Sequence, residues 1–202
     1  MFRQPDSTVK TAPSDSRKGE FSPGERRLLL RLAHEAIASS LDPAGRAIAL
    51  DPPTNHLAEP RGAFTTLYRH GRLRGCVGQV MAFASVYRTV AETAMAAASQ
   101  DTRFRPVRRA ELADLEISLS VLSPLRSIKP EELEVGRHGL LISKGGHRGL
   151  LLPQVPVEHG WDRDTFLQHT CLKAGLPPDA WRAGATLEAF TAEVFGDADH
   201  PE

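Results

Sequence analysis

Two stretches of this chain, Ala63 to Val80 and Leu140 to Leu152, each read as strand, glycine turn, strand, and that pattern restricts the fold more than any other feature. Ala63 to Tyr68 is rich in β-formers, His70-Gly71 turns the chain, and Leu73 to Val80 returns. The second unit runs from Leu140 to Ile142 through Lys144-Gly145-Gly146 to Leu150 and Leu152. Turns this short join antiparallel neighbours, because a parallel pair needs a crossover of a dozen or more residues. Between the two units, Leu115, Ile117, Leu119 and Val121 alternate with Glu116, Ser118 and Ser120. That is a strand with one face on a core and the other toward water. Phe190, Ala192 and Val194 alternate with Thr191 and Glu193 as a closing strand.

Helical periods sit around these strands. Ser22-Pro23-Gly24-Glu25 places Ser at an N-cap, Pro at the first helical position and Glu in a capping box, followed by Leu28, Leu29, Leu32, Ala33, Ala36 and Ile37 on one stripe. Ser85 caps a second helix with Val86, Val90, Ala94 and Ala97 or Ala98 on its apolar face. Pro153 and Pro156 end the second hairpin and leave Gln154 at a strand end. Asp162 then caps a helix carrying Phe166, Leu167, Thr170, Cys171 and Ala174, which stops at Gly175. Hairpins without βαβ alternation predict an α+β fold, an antiparallel sheet built from hairpins and flanked by helices. Residues 1–21 are polar and predict a disordered tail, and 22–197 form the domain.

Charge removes some functions. Lys plus Arg and Asp plus Glu both count 25, so the net charge is zero, which argues against a general nucleic-acid or anionic-membrane binder. No apolar run approaches a bilayer span, and the N-terminus lacks the apolar core of a signal peptide. The sequence therefore predicts a cytoplasmic protein with no membrane and no nucleic-acid partner. Its two cysteines, Cys76 and Cys171, are expected as reduced thiols without a structural metal or a cofactor.

The stretch Leu73-Arg74-Gly75-Cys76-Val77-Gly78 is the most informative candidate for chemistry. Glycine weakens a strand, so Gly75 and Gly78 bracketing a thiol point to a bulge or to a close approach by a ligand or another segment. Cys76 is the candidate nucleophile or redox group, and Arg74 beside it favours the thiolate. The competing reading makes Cys76 a small buried hydrophobe and the glycines packing devices. Asp101-Thr102-Arg103-Phe104-Arg105-Pro106 is the second candidate: Asp101 and Arg103 suit an anionic or planar ligand, or else pair with each other while Phe104 plugs the core. Gln154 is a further candidate ligand contact.

These segments, in this order, resemble the AmmeMemoRadiSam system protein A family, whose domain is also called AMMECR-type. Leu73 to Gly78 is similar to the family's LRGCIG signature with Val77 for isoleucine. Asp101 to Pro106 resembles its D-x-R-F-x-P segment, Gly149 to Val155 its LPQV strand, and Gly160-Trp161-Asp162 with Phe166-Leu167 and Cys171 to Leu176 its closing helix. The likeness covers about residues 24 to 196.

The resemblance implies a larger and a smaller lobe with a cleft between them and the signature segment near it. It also implies association with a Memo-type protein and a radical-SAM protein, but it carries no established reaction. Two functions are therefore expected: a cleft that binds or modifies a small molecule at a site centred on Cys76, with Arg74, Gly75, Gly78, Asp101, Arg103 and Gln154 around the ligand, or a non-catalytic adaptor docking onto those two partners.

Overall fold

The computed structural model describes residues 19–42, 44 and 48–199. The tail expected over 1–21 thus lies outside the described residues up to Lys18. Glu20 and Phe21 are held through their N–H groups by Glu193, so ordered contacts begin before the Ser22 boundary read from the sequence. Phe21 is buried against Phe195 and stacks on His56 with ring centroids 4.7 Å apart. A polar segment read from composition hides one anchoring aromatic.

Helix α1 (Pro23–Ser40) starts at a complete capping box: Glu25 N–H donates to Ser22 Oγ at 3.3 Å, and Ser22 N–H donates to the Glu25 carboxylate at 2.9 Å. Its buried stripe is Leu29, Leu30, Leu32, Ala33, Ala36 and Ile37. The first hairpin is β1 (Ala63–Arg69) and β2 (Arg72–Gln79), followed by α2 (Val86–Ser99), which packs on both strands and on α1. Then come β3 (Leu115–Leu122), the short β4 (Arg126–Ser127), the second hairpin β5 (Gly139–Lys144) and β6 (His147–Leu151), α3 (Gln154–Glu158), α4 (Arg163–Lys173), β7 (Thr186–Phe190) and β8 (Ala192–Gly196).

The described strands form two four-stranded antiparallel sheets, ordered β2-β1-β3-β8 and β4-β7-β5-β6. Each has its own core. The larger one gathers α1, α2 and one face of the first sheet, and the smaller one gathers α4 and the second sheet around Leu140, Ile142, Phe166, Leu167 and Cys171. The α+β class stands, with two lobes. Two chain passages join them, and they are bonded together where they cross: Ser123 N–H donates to Thr191 O at 2.9 Å, and Thr191 N–H to Ser123 Oγ at 3.0 Å. The closing strand read from the sequence is therefore two strands, one in each sheet, broken at Thr191. Its phase also changes, so that Phe195 is buried and Val194 is 62% exposed.

Pro153 and Pro156 do end the hairpin, but they do so by starting α3, with Pro153 at its N-cap. Gln154 consequently opens a short helix instead of ending a strand, and it is exposed. Proline fits the first turn of a helix, where no N–H is needed.

The N-terminal entry is latched by charge. The Glu193 carboxylate on β8 accepts from the N–H groups of Glu20 and Phe21 and from Arg26 Nε. The buried Arg61 guanidinium bridges Glu20 and Glu59, and His56 Nδ1 lies 2.8 Å from Glu25. That hydrogen bond to Glu25 raises the His56 pKa above its ordinary value.

Candidate functional site

Register decides which side chains surround the thiol. Ala63, Thr65 and Leu67 of β1 face the helices and are fully buried. Alternation then sends Phe64, Thr66 and Tyr68 to the opposite face of the sheet. Cross-strand partners share a face, so two rows cross this open side: Cys76, Thr66, Ser118 and Gly196, then Gly78, Phe64, Ser120 and Val194. Tyr68 and Glu116 follow in the next row. The helix-facing members of β2 include Gly75, where a Cβ would come within 2.3 Å of the Ala97 carbonyl of α2. At Gly78 a Cβ would fall 2.2 Å from the Phe64 ring. The two glycines of the signature thus serve opposite faces: one admits a helix backbone and the other admits an aromatic ring.

Cys76 is half-buried and reduced, neither sealed nor fully open. Thr66 Oγ1 donates to its Sγ at 3.4 Å. Its backbone N–H points off the outer edge of β2 and donates to Asp101 Oδ2 at 2.8 Å. An N–H leaving the ladder marks a non-hydrogen-bonded pair with Thr66, the arrangement that brings cross-strand side chains closest.

Asp101 follows the C-cap of α2, and its side chain is 6% exposed. It accepts from Arg103 twice, Nε to Oδ1 at 3.0 Å and Nη2 to Oδ2 at 2.8 Å, and also from Arg103 N–H at 3.1 Å. The hydrogen bonds from Arg103 outweigh burial and, with the Cys76 amide, hold the Asp101 carboxyl at about 2. Arg103 is raised in turn, chiefly by Asp101, with a smaller contribution from the charge of Cys76. Its guanidinium lies 5.5 Å from the Phe104 ring centroid. Burial raises Tyr68, and the charge of Cys76 adds to it, so Tyr68 stays a neutral phenol at physiological pH. One carboxylate oxygen therefore ties the thiol's own backbone to a half-exposed arginine, with a threonine and a phenol alongside.

Arg74 is elsewhere engaged. Its Nε and Nη2 donate to Glu111 at 2.9 and 3.1 Å, and Nη1 and Nη2 donate to the carbonyls of Arg105 and Pro106. It fastens the Asp101–Pro106 loop and the following turn to β2, while Arg103 is the cation bonded to the carboxylate that holds the Cys76 amide. The structure brings Asp101 and Arg103 to the Cys76 amide and places Arg74 as a support of their loop, while Gly75 faces α2 on the other side of the sheet and the space beside Gly78 is filled by the Phe64 ring, so neither glycine opens room for a ligand. No hydrogen bond among the described residues connects exposed Gln154 on α3 to this group.

The sequence pattern did not single out Thr66, Tyr68, Ser118 or Ser120 as site residues. The hydroxyls of Tyr68, Ser118 and Ser120 make no protein hydrogen bond among the described residues, which leaves the open face lined with donors and acceptors. The period-two pattern of β3 carried the signal for the two serines, since they alternate with its buried residues.

Two surface depressions lie on the smaller lobe and do not include Cys76. One, of about 500 Å³, surrounds the β5–β6 turn from Ser143 to Arg148; the other, of about 180 Å³, lies between Gln168, Trp181 and Arg182. Glu20, His56 and Glu59 place potential metal-ligand atoms within 4.8 Å of one another. Arg61 already supplies the positive charge between the two carboxylates, and Glu25 holds the imidazole, so the group is a paired latch. No described helix is long and apolar enough to cross a membrane.

A family model described as AMMECR1 matches residues 30–195. Protein MK0488 of Methanopyrus kandleri is 43% identical over 189 residues, covering 88% of this chain and 90% of that protein. Protein MJ0810 of Methanocaldococcus jannaschii is 40% identical over 185 residues, covering 87% and 91%. Among solved structures, the uncharacterized protein PH0010 from Pyrococcus horikoshii is 42% identical with a TM-score of 0.65, covering 84% of this chain and 89% of that one.

Proposed function

Since this chain belongs to the AMMECR1 family, we propose that it binds or modifies a small molecule on the open face of the larger sheet, with Cys76 as the reactive group. One observation carries the reading: a half-buried thiol whose amide and whose neighbouring cation, Arg103, are fixed by the same oxygen of Asp101. A thiolate beside a cation in a partly exposed place is the setting in which cysteine is nucleophilic. The reading places the protein in a reducing compartment, the cytoplasm.

Alkylation of the native protein with iodoacetamide, followed by peptide mapping, tests it. Cys76 should react at least about a hundredfold faster than Cys171, which is fully buried and must await local opening of the smaller core. Burial also pushes the Cys171 thiol up. Equal slowness at both positions until the protein is unfolded ends the proposal.

A second reading, the adaptor, is favoured by Phe83, which is 81% exposed in the loop leaving β2. Aromatic side chains are enriched among the anchors of protein–protein interfaces, and this one is free to enter a partner's pocket. In this reading the chain is component A of an AmmeMemoRadiSam system and docks onto a Memo-type protein and a radical-SAM protein. Phe83→Ser should then reduce capture of these partners at least about tenfold, as expected for loss of an aromatic anchor. Equal capture by both forms removes Phe83 from the interface.

A further inference from the structure

We propose that the ligand of the Cys76 site is a small carboxylate, held end-on by Nη1 and Nη2 of Arg103 with an electrophilic carbon over Sγ. This rests on the reading that Cys76 faces a ligand, and it adds the chemical class.

The argument starts from which donors are spent. A guanidinium offers two carboxylate-matched edges, Nε with Nη2 and Nη1 with Nη2. Asp101 occupies the first of them on Arg103. Nη1 donates to nothing among the described residues, and the side chain is 51% exposed, so the second edge is available to a planar anion. The guanidinium is also held in place, by Asp101 on one side and the Phe104 ring beneath, and a pre-positioned fork loses less entropy when it binds.

Asp101 neutralises Arg103 as a pair, so the attraction of an anion also needs a surplus of positive charge around it. That surplus is present. The segment from 101 to 111 holds Arg103, Arg105, Arg108 and Arg109 against only Asp101 and Glu111. Arg103 binds the first acid, and Arg74 and Arg69 bind the second. Arg105, Arg108 and Arg109 are exposed and make no ion pair among the described residues. Exposed cations on the segment that carries Asp101 and Arg103 raise the local concentration of anions around it. The remaining contacts suit a polar ligand: Tyr68 is a neutral donor, and the Ser118 and Ser120 hydroxyls wait unbonded on the same face.

Paired alkylation tests the class. Iodoacetate and iodoacetamide carry out the same substitution: the sulfur forms a bond to carbon, iodide leaves with the electron pair of the broken bond, and the thiol proton passes to solvent. They differ in the carboxylate. The full-length chain is treated with each reagent at neutral pH and low salt, Cys76 modification is followed by mass, and the rate ratio is compared with that of a small free thiol. The expected result is a ratio of iodoacetate to iodoacetamide raised roughly five- to tenfold over the free thiol, as one screened charge contact allows. It should fall toward the free-thiol value as salt rises, and it should also fall in Arg103→Gln. Modification by both reagents at the free-thiol ratio, indifferent to salt, overturns the carboxylate class and leaves the Cys76 site standing. No modification by either reagent sinks the site itself. The salt series on the unaltered protein keeps the test decisive even if Arg103→Gln folds poorly.

Discussion

Gly75→Ala should lower the melting temperature by roughly 6–12 °C, the shift that corresponds to about 3 kcal/mol in a domain of this size. The added methyl would lie 2.3 Å from the Ala97 carbonyl oxygen of α2. Real Cβ atoms do not approach a backbone oxygen so closely, and neither side can yield by a side-chain rotation. Relief requires α2 to lift from β1 and β2, opening the larger core at Leu67, Ala94 and Ala97. Overpacking of a core costs about 1–3 kcal/mol and more where backbone must move, so this position belongs at the upper end. β-propensity works the other way, because alanine is no worse than glycine in a strand, and a loss of stability therefore reports the steric contact alone. Gly145→Ala is the comparison: the turn glycine has φ +55° with nothing near its Cβ, so only its left-handed conformation is penalised, by about 1 kcal/mol. Thermal unfolding of both variants decides the matter, and a wild-type melting temperature for Gly75→Ala would mean that α2 does not sit on Gly75.

That contact also shows what the sequence could convey about the site. Two glycines around a cysteine announce close approaches, but not what approaches. Gly75 answers to the α2 backbone at Ala97, 22 residues later, and Gly78 to the ring of Phe64 on the neighbouring strand. The partner of Cys76 was harder still. Counting back from the His70-Gly71 turn pairs Thr66 with Gly75, whereas the bulge between Leu67 and Tyr68 shifts the register so that Thr66 faces Cys76. A bulge inserts one residue and moves every side chain beyond it to the other partner. Asp101 was visible as a candidate, yet its bond to the Cys76 amide joins residues 25 apart, and linear order holds no record of it.

The strands and long helices were legible because each repeats a simple period. The capping box at Ser22 and the N-cap at Asp162 formed as their sequences require. The failures lie where the period is interrupted. The closing strand changes sheets at Thr191, and alternation read straight through that crossing places Val194 inside when it is outside. β4 is two residues long and holds no period, and α3 is shaped by two prolines that sequence reasoning took only as stops.

Glu111→Gln should destabilise the protein by on the order of 2–3 kcal/mol at neutral pH and flatten its acid sensitivity. Glu111 receives Arg74 through two nitrogens, Arg69 at 3.4 Å and the Arg108 amide at 2.8 Å, with its side chain 14% exposed. Arg74, chiefly, holds its carboxyl at about 2 against burial. A carboxylate depressed in the folded state adds stability that is complete above its unfolded value near 4.5 and is lost as the pH falls toward 2. A depression of that size corresponds to about 3 kcal/mol. Glutamine keeps an acceptor for one donor but no charge for Arg74, and an arginine left half-buried without its counter-charge is costly. Unfolding followed between pH 6 and 2 should therefore show a shallower loss of stability in the variant than in the parent, with Asp101 and the other depressed carboxylates, Glu25, Glu134, Asp162 and Asp197, supplying the slope that remains. The effect should extend to chemistry, because Arg74 joins Glu111 to the carbonyls of Arg105 and Pro106 and so holds the loop that presents Asp101 and Arg103. Cys76 alkylation in Glu111→Gln should lose its preference for iodoacetate while the thiol itself stays accessible. If stability drops and that preference persists, the ion pair supports the fold alone and Arg103 is positioned by Asp101 without it.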